Sequence, residues 1–385
     1  DSGQVWSLSP APTWPAYDQY LCRHGIGYTT FETEFAGIGA EWTLFCHPHE
    51  TAELWRVRLH NRSGRPRRIQ LCAYLEWCVG VSPDPRREFH KLFIETSFDA
   101  ARSAVTARNH MWDVHSPRWG HWNTDFPYHA AFAVTENVDA AQGDKAEFIG
   151  TYTDPASPRG MGQAQWTSRF GRHEDPIAAM RCTMALGPGE TRQIGYVLAI
   201  SSSAAAAGGL VDSLRAGPAI DKVLEAVKAD WQQRLASPHV DTPDESVNHL
   251  TNYWVRYQAI SGRLWGRCGY YQQSGAFGFR DQLQDSQVWL TIDPPRCRDQ
   301  ILLHAGHQFA DGSVHHWWHP LTEQGLITRF SDDLLWLSFV TANYLKETAD
   351  FDLLQQPAPF LDERQSAPLL EHVRRAFDRT FGRTS

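Results

Sequence analysis

The sequence predicts a β-then-α chain: a large antiparallel β-sandwich, a helical linker, and the first part of an α/α barrel. Three observations carry this. Short runs of alternating polar and apolar residues, separated by Gly/Pro turns, fill the first half. A small-residue stretch, residues 201–209, ends that pattern. Beyond it apolar residues recur at helical spacing. The boundaries that follow are 1–203 for the sandwich, 204–240 for the linker and 241–385 for the barrel portion.

Taken in order, residues 53–59 alternate, residues 61–65 supply turn chemistry, and residues 68–75 alternate again. Two half-buried strands joined as a hairpin are expected. Residues 180–186, the turn Gly187-Pro188-Gly189-Glu190 and residues 193–200 repeat the pattern. In the linker, Ile220, Val223, Leu224, Val227, Trp231 and Leu235 form one apolar helix face. A helix capped by Asp244 or Thr242 follows, through Val247, Leu250, Tyr253, Trp254 and Tyr257. Further helices are expected over 282–292, over 295–309 with proline at the start, over 331–346 with Ser331 as cap, and over 367–381. Successive helices with long loops between them suit an α/α barrel whose loops build the active site. Fewer helices fit after Thr242 than a closed barrel needs, so an incomplete barrel is expected.

At 385 residues and 42% hydrophobic, the chain is long enough for two cores. A net charge of -8 gives no overall field for nucleic acid or an anionic membrane, and Arg65, Arg67 and Arg68 read as solvating a turn. The cysteines (Cys22, Cys46, Cys72, Cys78, Cys182, Cys268, Cys297) are odd in number and lack CxxC spacing. They suit reduced thiols in a cytoplasmic protein rather than disulfides or zinc. No apolar run reaches the roughly 18 residues that span a bilayer, and nothing at the N-terminus reads as a signal peptide. Most of the sixteen tryptophans are expected in cores; Trp317 and Trp318, set among histidines, lead as sugar platforms.

The chemistry concentrates in residues 270–285, Tyr-Tyr-Gln-Gln-Ser-Gly-Ala-Phe-Gly-Phe-Arg-Asp-Gln-Leu-Gln-Asp. Glycines that admit close backbone approach stand beside aromatic faces and Arg, Asp and Gln hydrogen-bonding groups. A pyranose, with apolar C–H faces and a rim of hydroxyls, requires that combination. A second cluster follows: Gly312-Ser313-Val314-His315-His316-Trp317-Trp318-His319-Pro320, then Thr328-Arg329-Phe330-Ser331-Asp332-Asp333-Leu334-Leu335-Trp336. His315 and His319 are four residues apart but fall on an expected strand or loop, which does not make the paired ligands of a zinc-hydrolase helix, and no acidic residue falls at a matching offset, so no metal site is expected. Asp332 and Asp333 also suit a helix N-terminus on dipole and capping grounds alone.

These segments together resemble the inverting β-glucoside phosphorylases, the family of cellobiose, cellodextrin and chitobiose phosphorylases and the phosphorylase region of cyclic β-1,2-glucan synthases. His24 to Thr29, Asn61 to Gly64 and Tyr74 to Trp77 add weaker matches. The resemblance implies a β-sandwich, a helical linker and an (α/α)6 barrel, with reversible phosphorolysis of β-linked gluco-oligosaccharides to α-glucose 1-phosphate. Phosphate is the co-substrate and no cofactor is implied; the expected assembly is a homodimer. Inverting cleavage needs a general acid on one face and a nucleophile on the other. Phosphate, already an anion, replaces water and its base, so one carboxylate suffices. By resemblance Arg280 and Asp285 hold glycone hydroxyls, with Gln284, His316, Trp317 and Asp333 completing the sugar site and Arg267 near phosphate. The alternative for Arg280 and Asp285 is a salt bridge between helix start and loop. The family's acid lies in a Trp-Asn-Asp segment that this sequence lacks, so the acid is expected beyond Ser385 and the chain alone is expected to be inactive. Two other readings stay open: a glucan-processing region of a cyclic β-1,2-glucan synthase, and a non-catalytic glucan-binding fragment.

Overall fold

The computed structural model describes residues 2–80, 91–111, 114–116, 120–123, 126–236, 238–266, 276–320, 323–363 and 365–382. The chain divides into two compact units, Asp1–Asp230 and Trp231–Ser385. The first holds β1 (Gln19–Gly25), β2 (Tyr28–Phe35), β3 (Ile38–Cys46), β4 (Ala52–Asn61), β5 (Arg67–Glu76), β6 (Ile94–Asp99) and β7 (Ala104–Asn109). Then come β8 (Val114–Ser116), β9 (Gly120–Asn123), β10 (His129–Val134), β11 (Ala140–Asp144), β12 (Gly171–Arg172), β13 (Pro176–Leu186) and β14 (Thr191–Ser201). A nine-stranded sheet runs β1-β2-β3-β4-β14-β10-β7-β6-β12 and faces a three-stranded sheet, β11-β13-β5; β8 and β9 pair separately. The large antiparallel sandwich expected from alternation is present.

Alternation also selects the core. In β4, Leu54, Val57 and Leu59 are buried while the residues between them are half-buried. From β13, Ala178, Met180, Cys182, Met184 and Leu186 enter the main core with Phe132, Ile194 and Tyr196. Its other face buries Ile177 and Ala179 against Phe148 and Ile149. Being buried on both sides, β13 reads as a nearly continuous apolar run.

The two expected hairpins do not form. β4 pairs with β3 and β14, whereas β5 pairs with β13, so both connections cross between sheets. Alternation says which face of a strand is apolar, not which strand lies beside it. Asn61 ties the crossings together: its Nδ2 donates to the carbonyls of Arg65, Leu186 and Gly187 at 2.8, 3.0 and 2.9 Å. Its own carbonyl accepts from Gly189 N, in a turn where Gly189 adopts φ +74° at no steric cost.

After β14, Ser203 caps α1 (Ala204–Arg215), its Oγ accepting from Ala206 N at 3.1 Å. α2 (Ala219–Arg234) buries the expected stripe of Ile220, Val223, Leu224, Val227 and Trp231. In the second unit a helical run opens at Glu245 under an Asp244 cap and continues to Trp265 through two π-helical segments. α3 (Phe279–Ser286), α4 (Pro294–Ala305), α5 (Asp333–Thr348) and α6 (Leu369–Thr380) follow. Interleaved with them are β15 (Phe277–Gly278), β16 (His315–His319), β17 (Gln324–Ile327), and the pair β18 (Pro357–Pro359) and β19 (Ser366–Pro368). α3 starts three residues before its expected Gln282 and gives way to a 3-10 turn at Gln287–Thr291. Ser331 is not the cap of α5; Asp332 occupies that position. Among the described residues no helix is long and apolar enough to cross a membrane.

Candidate functional site

α3 is built from a buried stripe of Phe279, Gln282, Leu283 and Ser286, at the offsets that fall on one face of a helix, which packs it down. Arg280 and Asp285 are half-buried and Gln284 is exposed on the remaining surface. β15 leads into α3 and pairs with β16, Phe277 opposite Trp318 and Gly278 opposite Trp317. Along β16 the register to β17 slips by one residue, His315 facing Ile327 and Trp317 facing Leu326. His316 is thus the extra residue of a β-bulge. Bulges re-aim a side chain that a regular strand would hold in line.

The imidazole so released meets the start of α5. His316 Nδ1 donates to Asp333 Oδ2 at 2.7 Å, and the ring stacks on Phe330 with centroids 4.7 Å apart. Asp333 is 2% exposed, and its Oδ1 has no partner. Burial raises the Asp333 carboxyl above its ordinary range, against the opposing pull of His316 and Arg280. Next to it, Asp332 makes no side-chain cap bond to the backbone of α5: its Oδ2 accepts from Arg280 Nη1 at 3.1 Å and from Trp336 Nε1, a turn further along α5, at 3.4 Å. Partial burial opposes the charge of Asp332, but Arg280 and Trp336 hold it below the usual carboxylate range. The guanidinium of Arg280 lies 6.0 Å from the centre of the Phe330 ring. Two adjacent aspartates thus anchor two different cation-forming side chains around one exposed aromatic.

The structure therefore brings Arg280, His316 and Asp333 into one cluster. Asp285 stands apart from Arg280: its Oδ2 accepts from Arg263 Nε at 2.8 Å, so the pairing of Arg280 with Asp285 is replaced by Arg280–Asp332 and Arg263–Asp285. Gln284 uses its backbone carbonyl to accept from Gln287 Nε2. Trp317 is half-buried with its ring edge-on to His319 at 5.3 Å. Trp318 is not a sugar platform: it is 1% exposed and stacked on His307 at 3.9 Å, because its side of β16 faces the core. Arg267 lies outside the described residues. Gln282, also buried, leaves its Oε1 without a partner. The sequence placed Phe330 inside the second cluster without a role, and Arg263 sits in no pattern that separates it from ordinary packing residues. Among the described residues no group of three or more His, Cys, Asp or Glu could hold a metal ion.

This arrangement offers donors, acceptors and an aromatic face at one edge of a helical unit, which is the chemistry of a sugar site. Comparisons with known proteins agree in kind. Residues 1–216 match the model "Glycosyl hydrolase 94, supersandwich domain" and residues 230–384 match "Glycosyl hydrolase 94 superfamily, catalytic domain". The chain is 31% identical to a cyclic beta-(1,2)-glucan synthase of Rhizobium meliloti, over 91% of this chain and 12% of that protein. It is 27% identical to solabiose phosphorylase of Paenibacillus borealis, over 94% of this chain and 44% of the relative. In fold it is similar to a bacterial glucoamylase solved with acarbose, with a TM-score of 0.53 and 11% identity over 87% of this chain and 50% of that one. The chain thus spans about half, or less, of the length of the curated relatives it matches.

Proposed function

The chain belongs to the glycosyl hydrolase 94 family, and on that premise we propose that a full-length protein carrying it catalyses reversible phosphorolysis of β-linked gluco-oligosaccharides. Inorganic phosphate attacks the anomeric carbon, the glycosidic oxygen leaves with a proton from a general acid, and inversion yields α-glucose 1-phosphate. The observation that carries the proposal is the cluster of Arg280, His316, Asp332 and Asp333 beside the Phe279 to Asp285 motif. Arg280 and Asp285 serve the glycone hydroxyls, with Arg263 holding the Asp285 carboxylate in place. His316, fixed by Asp333, offers its Nε2 to a sugar hydroxyl or a phosphate oxygen. Trp317 and Gln284 border the same sugar, and Arg267 is assigned to phosphate. No residue of this chain is given the role of acid, since the Trp-Asn-Asp segment is absent from the sequence.

A second reading is favoured by the 31% identity over 91% of the chain: glucan processing within a cyclic β-1,2-glucan synthase. Both readings predict the same test reaction. The full-length protein is incubated with cello- and sophoro-oligosaccharides, with and without phosphate, and products are followed by NMR. Phosphate-dependent release of α-glucose 1-phosphate is expected. Equal cleavage in phosphate-free buffer, with free glucose as product, would overturn the proposal in favour of hydrolysis. Preference for sophoro- over cello-oligosaccharides would favour the second reading.

A further inference from the structure

A pocket of about 570 Å³ lies in the first unit, bounded by the N-terminal residues 2–6, the start of β5, β13 and residues 161 and 164. Register explains its lining. Thr183 of β13 stands opposite Gln70 of β5, Arg181 opposite Cys72 and Ala185 opposite Arg68. Since Met180, Cys182 and Met184 enter the main core, the residues between them, Arg181 and Thr183, take the opposite face together with Arg68 and Gln70.

Arg181 is the unusual member. It is 5% exposed, yet its Nη1 and Nη2 donate to the neutral carbonyls of Gln163 and Ala164, each at 2.8 Å, and its Nε has no partner. The face of Trp166, 5.1 Å away, is its other compensation. A guanidinium cannot shed its proton to escape burial, so a buried one without a counter-anion is costly. Arg68 lines the same pocket from the same face as Arg181, and Asp139 is the single carboxylate among its described lining residues; Arg67, also in the lining, shares the core face with Leu186 and donates from its Nη1 to the carbonyl of Ala36 at 2.7 Å. The local field therefore favours an anion.

We propose that this pocket binds an acidic sugar, a pyranose carrying a phosphate or carboxylate group. The volume falls in the range of about 300–1,000 Å³ typical of small-molecule sites and far exceeds the needs of a bare ion. The non-basic lining, Gln4, Gln70, Thr183 and Trp6, supplies amides, a hydroxyl and an indole, the groups that hold a sugar ring.

Isothermal titration of the 385-residue chain with glucose 6-phosphate, glucuronic acid, inorganic phosphate and glucose tests the proposal. At least one acidic sugar should bind at least tenfold more tightly than glucose or inorganic phosphate. Stronger binding of glucose 6-phosphate assigns phosphate as the carried group; stronger binding of glucuronic acid assigns carboxylate. Arg181→Met removes the buried charge but also a clamp on the neighbouring loop, so the deciding variant is Arg68→Glu, at an exposed position. With an unchanged melting temperature it should weaken binding at least tenfold, whereas Arg280→Ala should leave binding intact. No binding of either acidic sugar would overturn the proposal. So would inorganic phosphate binding as tightly as both, or loss of binding in Arg280→Ala with none in Arg68→Glu.

Discussion

Asn61 of the sandwich and Asp333 of the helical unit are both sealed from solvent, at 0% and 2% exposure, and both sit where the chain changes element. Their hydrogen bonding differs. Asn61 uses its amide nitrogen on three carbonyls and its amide oxygen on the N–H and hydroxyl of Ser63. Asp333 uses one oxygen on His316 and leaves the other unpartnered. Buried polar groups in native folds are nearly always satisfied, and exceptions call for a reason. Asn61 is satisfied as an architectural residue is, and the unpartnered oxygen supports the sugar-site role proposed for Asp333, where local cost is tolerated for chemistry.

The largest expected effect falls on the architectural residue. Asn61→Ala leaves three carbonyls without their side-chain donor, and an unpaired buried polar group costs about 1–3 kcal/mol. Urea denaturation should show a loss of about 3 kcal/mol or more; a loss below about 1 kcal/mol would break the comparison. Arg280→Ala should do the reverse in a full-length protein. Losing a charge-assisted hydrogen bond to substrate costs about 1.5–3 kcal/mol, so kcat/KM should drop at least roughly tenfold. Stability should move by less than about 1 kcal/mol, because the Arg280–Asp332 pair is 34% and 48% exposed. A large melting loss with normal kcat/KM would make Arg280 structural.

Asp333→Asn sharpens the contrast at the residue itself. The amide still accepts from His316 Nδ1, while a desolvated charge is removed, so the melting temperature at neutral pH should be retained and kcat/KM should fall. Burial raises the folded carboxyl above its ordinary 3.8, despite His316. The stability this group contributes is therefore complete below 3.8 and lost as pH rises through the raised value. The unfolding free energy of wild type relative to Asp333→Asn should shift toward the variant as pH rises from about 3.5 to 6. A shift the other way would mean that His316 stabilises the anion more than burial opposes it. The smallest effect is expected at Glu371, which Arg374 and, against some burial, Arg375 lower to about 2. That contribution is complete above the ordinary 4.5 and lost as pH falls from 4.5 toward 2. Glu371 is 25% exposed and Arg374 64%, so Glu371→Gln should cost at most about 1 kcal/mol at neutral pH and nothing measurable near pH 2.

Several residues of the candidate site were legible in their residue types. Arg280, His316 and Asp333 were identifiable because aromatics, glycines and charged groups crowd segments that would otherwise carry an apolar stripe. Their partners were not. Arg280 is fifty-two residues from Asp332, and Asp285 twenty-two from Arg263; no periodicity encodes such a pairing. Trp318 shows the same gap from the other side. Trp317 and Trp318 are adjacent, yet one is half-buried and the other in the core, and which of the two faces inward depends on how β16 is set against the helices.

The sequence by itself determined the kind of structure each segment forms. Alternation in β4, β5, β14 and residues 180–186 of β13 made strands, the spacing of Ile220 through Trp231 made a helix, and Ser203 and Asp244 made caps. Those signals are local, set within a few residues by side-chain direction and orphan backbone groups. Tertiary structure alone decided that β4 and β5 lie in different sheets, that Asn61 joins two crossings, and that Asp332 and Asp333 divide between Arg280 and His316. Each of these is a choice among partners distant in the chain, made by the fit of whole faces against one another. A two-residue or four-residue period carries no information about that fit.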